Sequence, residues 1–165
     1  MNGFLNVYKP RGMSSAHCLN KIKKKIDYKC GHMGTLDPMA VGVLPMGINQ
    51  ANRVFNYLLD KNKAYVAEFT FGYETDTLDS TGEVLSTTEK IPSLNEINAV
   101  LSEFIGEVEQ VPPKYSAKNI DGKRGYELAR SGVEFELKPS IVTINKIEIL
   151  RQIDDKTFEF LIECK

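Results

Sequence analysis

An α+β fold is the class this sequence predicts, and three observations carry it. Two segments, AYVAEFTFG (64–72) and KTFEFLIEC (156–164), alternate apolar and polar residues with the period of a strand. Two others, 15–27 and 93–106, place apolar residues at helical spacing. The helices are inserted between antiparallel-looking strands without a regular strand–helix–strand repeat, and this mixed order argues for an α+β fold. The 165 residues suffice for one domain with a real core, and neither an internal repeat nor a low-complexity linker divides them.

Taken in order, FLNVY (4–8) reads as a short strand that ends at Lys9-Pro10, and RGMSS as the turn after it. Ser14 or Ser15 can cap a helix over 15–27, with Leu19, Ile22 and Ile26 on one face and lysines on the other. ANRVFNYLLD (51–60) predicts a second helix with Val54, Phe55, Leu58 and Leu59 turned inward. In the strand over 64–72, Tyr65, Ala67, Phe69 and Phe71 share one face, and Val66, Glu68 and Thr70 the other. A turn-rich loop, YETDTLDSTGE, leads to a strand remnant at Val84-Leu85. The clearest helix is SLNEINAVLSEFIG (93–106). Ser93 and Glu96 form a capping box, Ile97, Val100, Leu101 and Phe104 face the core, and Gly106 ends it. GKRGYELARSG (122–132) predicts a shorter helix, and the chain from Phe135 onward reads as strand.

Composition narrows the function classes. Apolar residues make up 42% and charged residues 26%, the proportions of a globular protein. The N-terminus, MNGFLNVYKPRGMSS, has no signal-peptide pattern, and no apolar run approaches the ~20 residues of a spanning helix. Cys18, Cys30 and Cys164 are an odd set without paired spacing, as expected of reduced thiols in a cytoplasm. The net charge of −1 hides an uneven distribution. Lys21, Lys23, Lys24, Lys25 and Lys29 crowd one stretch, Lys114, Lys118, Lys123 and Arg124 another, and acids collect between 74 and 109. Such a surface can turn a basic face to phosphates, although a solvated helix face explains any one cluster as well.

The residues with the most backbone shaping around them are 31–45, GHMGTLDPMAVGVLP. Asp37 sits there before a proline, with glycines at 31, 34 and 42. Asp-Pro is also a common helix opening, with the aspartate as cap. Cys30 and His32 lack a second pair at zinc spacing, and DTLDSTGE lacks the order of a calcium loop. The glycines fit neither a phosphate-binding loop nor a dinucleotide fingerprint, and Ser14-Ser15 is not set in a nucleophile elbow. A lone carboxylate on a glycine-shaped loop remains, and such a group can serve as a covalent nucleophile without metal or cofactor.

Four blocks of the sequence resemble the TruB family of tRNA pseudouridine synthases: NVYKPRGMSS, GHMGTLDPMAVGVLP, KAYVAEFTFGYETDTLDSTGEV and QVPPKYSAKNIDGKRGYELARSGVE. They stand in family order and are spread over residues 6–134. The resemblance implies the pseudouridine synthase fold, a mixed, largely antiparallel sheet with flanking helices and a cleft across one face. It also implies isomerisation of a T-loop uridine in tRNA, on the T-arm stem-loop, by a monomer that uses no cofactor and no metal. Asp37 would be the essential catalytic carboxylate. Tyr65 would stack beneath the flipped base, and His32 would enter the stack that the base vacates. Lys9 and Asp76 complete the expected substrate-binding set. Lys9 is expected to support the catalytic loop more than to touch RNA, and Asp76 borders the pocket or simply shapes a turn. Tyr115, Ser116, Ala117 and Tyr126 are expected to pack the fold, and the two lysine clusters to contact phosphates.

Family members continue into a K-G-x-Y-[IV]-R motif whose arginine pairs with the catalytic aspartate, whereas this sequence stops at Glu163-Cys164-Lys165. The resemblance therefore implies an incomplete catalytic domain, without the later strands and the C-terminal RNA-binding region, and with activity impaired or absent. Two other readings stand beside the enzyme. One is a noncatalytic RNA-binding module with the same fold. The other is a plain α+β domain in which Asp37 only caps a helix.

Overall fold

The computed structural model describes residues 1–58, 62–111, 119–120, 123–124 and 138–165. Its contacts gather into two compact units, Met1–Lys61 and Asn62–Lys165.

The first unit runs β1 (Gly3–Lys9), α1 (Ser15–Lys23), β2 (Cys30–His32), β3 (Gly42–Ile48), a 3-10 helix (Asn49–Val54) and α2 (Phe55–Leu58). The strands form an antiparallel sheet in the order β1-β3-β2, with Leu5 opposite Met46 and Cys30 opposite Ile48. Alternation along β1 turns Leu5, Val7 and Lys9 inward and leaves Phe4, Asn6 and Tyr8 exposed. Leu44 and Met46 meet Cys18 and Leu19 of α1 in the core, with Ile22, Ile26 and Leu36 packed around them. Full burial of a side chain such as Leu44 is worth about 1.5–3 kcal/mol. Opposite one another in the sheet, Gly31 and Gly47 leave room for Asn52 and Phe55. A Cβ at Gly47 would stand 2.6 Å from the Phe55 ring, and one at Gly31 2.6 Å from Asn52 Oδ1.

Ser14 caps α1, its Oγ accepting from the His17 amide at 3.2 Å. The helix ends at Lys23, short of the expected 27, although Ile26 still reaches the core. Lys21 and Lys25 would face each other one turn apart without an intervening acid, which disfavours continuation. The helix expected over 51–60 is instead a 3-10 turn and a single α turn. Val54 consequently points out rather than in, Phe55 is half-buried, and Leu59 and the Leu58 side chain lie outside the described residues.

The second unit comprises β4 (Lys63–Thr70), β5 (Tyr73–Thr75), β6 (Val84–Thr87), α3 (Leu94–Leu101), a 3-10 turn (Ser102–Phe104), β7 (Gly106–Gln110), β8 (Asn119–Ile120), β9 (Lys123–Arg124), β10 (Ser140–Gln152) and β11 (Thr157–Cys164). Its main sheet is antiparallel in the order β4-β11-β10-β7, while β5 pairs β6 and β8 pairs β9. Phe158 and Phe160 of β11 are buried under Ile97 of α3, with Phe71, Leu101, Ile147, Ile149 and Ile162 around them. The Ser93–Glu96 capping box forms as expected: the Ser93 amide donates to Glu96 Oε2 at 2.8 Å and the Glu96 amide to Ser93 Oγ at 3.3 Å. Val100 and Phe104 do not reach the core. The α-helix stops at Leu101, and the tighter turn after it swings Phe104 off the apolar stripe. Gly106 opens β7, a strand that its charged residues concealed. Of the segment 122–132, within which a shorter helix closed by Gly132 is expected, only Lys123–Arg124 is described, and it pairs as strand; the rest of that segment and the block around Tyr115 and Tyr126 lie outside the described residues.

Charge divides at the same boundary. Residues 1–61 hold nine lysines and arginines against three aspartates, a net charge of +6. Residues 62–165 hold twelve against nineteen acids, a net charge of −7.

Candidate active site

The loop between β2 and β3 carries Asp37, and nearly every bond that shapes it comes from other residues. Met33 donates its amide to Pro45 O at 2.8 Å, which returns the chain to the sheet. Gly34 takes φ +73°, a conformation that L side chains rarely adopt. His32 sits at the end of β2, half-buried, with Nδ1 2.6 Å from Gly34 O. A carbonyl only accepts, so Nδ1 carries the hydrogen of this bond.

At Leu36 the loop is gripped twice by one hydroxyl. Ser15 Oγ accepts from the Leu36 amide at 2.9 Å and donates to the Leu36 carbonyl at 3.0 Å. The Leu36 side chain packs on the core of the first unit. On the other side of Asp37, Pro38 O accepts from the Gly12 amide at 2.7 Å. Lys9 Nζ reaches the same carbonyl at 3.5 Å and donates to Met13 O at 2.7 Å and Pro10 O at 3.1 Å. Lys9 is 0% exposed, so its ammonium is held by backbone carbonyls and not by water.

Asp37 itself opens a turn, its carbonyl accepting from the Ala40 amide at 3.0 Å. Aspartate first and proline second is a placing that both residues favour in such a turn. No helix follows, so Asp37 is not a helix cap. Its side chain is exposed, and among the described residues the carboxylate has no hydrogen-bond or ion-pair partner. The structure thus brings Lys9 to the loop that holds Asp37 and sets His32 at the loop's entrance.

Ser15 escaped the sequence reading except as a possible cap, because its partner is 21 residues away. Lys9 had a readable signal: it continues the Leu5, Val7 alternation onto the inner face of β1. Cys30 is a core residue. Burial pushes its thiol up, and nearby Lys23 and the Gly31 amide offset this only in part.

Tyr65 and Asp76 belong to the second unit. Tyr65 lies on β4 opposite Ile162, on the face that carries Phe69 and the buried Phe158 and Phe160, and is 43% exposed. Asp76 is tied into the loop after β5, where its Oδ1 accepts from the Glu83 amide at 2.8 Å and its amide donates to Glu83 O at 3.1 Å. Next to it, Asp79 Oδ1 accepts from Thr77 Oγ1, the Thr81 amide and Thr81 Oγ1 at 2.8, 2.8 and 2.6 Å. Burial pushes the Asp79 carboxyl up, but the Thr81 hydroxyl, the Thr81 amide and Thr77 together hold it below the ordinary value. On α1 and after it, Lys21, Lys23, Lys24, Lys25 and Lys29 are exposed, and the ion pairs among the described residues, Lys146–Glu148 and Arg151–Glu159, involve none of them.

Known proteins share this sequence and this architecture. The profile of the TruB family pseudouridylate synthase (N terminal domain) matches residues 20–165. A tRNA pseudouridine synthase B of Alkaliphilus oremlandii is 49% identical over 157 residues, 94% of this chain and 52% of the relative. One of Rickettsia felis is 43% identical over 169 residues, 99% of this chain and 50% of the relative. The chain thus spans about half the length of the curated relatives it matches. Among solved structures, a chain of a Cbf5-Nop10-Gar1 complex superposes with TM-score 0.68 at 29% identity, covering 98% of this chain and 39% of that one. A chain of an H/ACA ribonucleoprotein bound to a substrate RNA containing 2'-deoxyuridine gives 0.63 at 26% identity, covering 98% and 37%. By its sequence and its α+β fold, the chain belongs to the TruB family of pseudouridylate synthases.

Proposed function

We propose that this chain is the catalytic part of an enzyme that converts a T-loop uridine of tRNA to pseudouridine, with Asp37 as the essential carboxylate. The observation that carries the proposal is the division of labour around Asp37: its neighbours are held by Ser15, Gly12 and Lys9, while its own side chain is exposed and unengaged. The relatives bearing the name tRNA pseudouridine synthase B support the choice of reaction and substrate.

The reaction is an isomerisation. The bond from ribose C1′ to uracil N1 breaks, the ring turns, a bond from C1′ to C5 forms, and the C5 proton leaves while N1 gains one. Atoms balance without oxidant or co-reactant, so an anionic oxygen poised beside the sugar or the base is the chemistry required of the protein. The target base must first leave its stack. Tyr65 offers a planar ring on an exposed part of β4 for the extruded base, and His32 a ring at the mouth of the Asp37 loop to fill the gap. Lys9, buried on three carbonyls, supports the loop. Asp76 shapes the loop after β5 by holding the Glu83 amide.

The test is release of tritium from C5-tritiated uridine in a T-arm stem-loop. Release by wild type and none by Asp37→Asn is the expected result. A protein that binds the stem-loop but releases nothing, both as this chain and when extended to the length of its relatives, contradicts it, and favours a second reading, a noncatalytic RNA-binding module. The charge of +6 on residues 1–61 and the unpaired lysines of α1 suit RNA on either reading. Each lysine among 21, 24, 25 and 29 that contacts a duplex phosphate should, when changed to glutamine, flatten the slope of log affinity against log salt by about 0.9.

A further inference from the structure

We infer that Ser15 is a positioning residue for the reaction, acting through the Leu36 peptide to hold the backbone of Asp37. The inference rests on the catalytic reading of Asp37 and names a residue that the reading does not need. Ser14 already caps α1, so Ser15 has no part in starting the helix. It is nevertheless 2% exposed, and its hydroxyl bonds both polar groups of one residue 21 positions away. A hydroxyl has one hydrogen and accepting lone pairs, and here both capacities are used on Leu36.

That double bond fixes where Leu36 sits, and the Leu36 side chain, packed into the core, fixes its rotation. The next residue is therefore turned outward, which is why Asp37 is exposed between two held neighbours. The grip on the far side is of a different kind, since Pro38 O is held by a backbone amide and by Lys9. Of the groups that bracket Asp37, the Ser15 hydroxyl is the one that can be deleted by removing a single oxygen atom. A carboxylate that must meet one ribose or base atom loses rate steeply when displaced, without a matching loss of RNA affinity.

Ser15→Ala and Ser15→Thr are compared with wild type by tritium release and by amide exchange. In Ser15→Ala, kcat should fall about 10²-fold while KM for the stem-loop stays nearly constant. Exchange at the Leu36 amide should accelerate at least about tenfold, with the β3 amides of Leu44 and Met46 unchanged. Ser15→Thr keeps the hydroxyl and should restore most of kcat and of Leu36 protection. An unchanged kcat in Ser15→Ala overturns the inference alone. Loss of β3 protection together with that of Leu36, or failure of the threonine rescue in a protein whose β3 amides stay protected, also overturns it. No release by wild type, both as this chain and when extended to the length of its relatives, removes the catalytic reading, and the inference with it.

Discussion

Two loops of this chain carry aspartates, and they treat them in opposite ways. In the loop after β5, carboxylates build the turn: Asp76 holds the Glu83 amide, and Asp79 gathers Thr77 and Thr81. In the loop between β2 and β3 the turn is built by a serine hydroxyl, a glycine amide and a buried lysine, and the carboxylate of Asp37 takes no part. A short acidic side chain in a turn usually bonds nearby backbone, as Asp79 does. When the surrounding chain satisfies the backbone by other means, the carboxylate is left available for something outside the fold.

Substitutions can break the comparison, beginning with the largest effect. Asp37→Asn should abolish tritium release and leave RNA affinity unchanged, which a parallel binding isotherm checks. Lys9→Met should cost roughly 2–4 kcal/mol in urea unfolding, because it removes the buried ammonium that ties together the carbonyls of Pro10, Met13 and Pro38. Asp79→Ala should cost about 1–3 kcal/mol by the same measurement, for a loop that loses its organising acceptor. The smallest effect is that of pH. The Asp79 carboxyl is depressed in the folded chain, so its contribution is full above the unfolded value of about 3.9 and lost as pH falls through the lower folded value. The melting temperature of wild type should drop more steeply through that acid range than that of Asp79→Ala.

Much of this was legible in the sequence, and the exceptions have physical reasons. The Ser93–Glu96 box and the β4 and β11 alternation are local signals, and both appear as read. Phe104 and Val54 were misplaced inward because a tighter 3-10 turn changes the angle per residue just where the apolar stripe continues on paper. Strand β7, Gly106–Gln110, is hidden by its glutamates, which leave Val108 as its one large apolar side chain. Asp37 stood out by its glycines and proline, but nothing local distinguished a free carboxylate from a cap. That distinction depends on Ser15, Gly12 and Lys9, whose bonds to the loop cross 21 to 29 residues. The net charge of −1 likewise conceals that residues 1–61 are basic and residues 62–165 acidic.

The most direct test of the central claim is the unfolding free energy of Asp37→Ala against wild type in urea. A carboxylate that the fold does not use should be replaceable within about 0.5 kcal/mol. A loss of about 1 kcal/mol or more would show that Asp37 holds its own loop as a cap does, and would contradict the account.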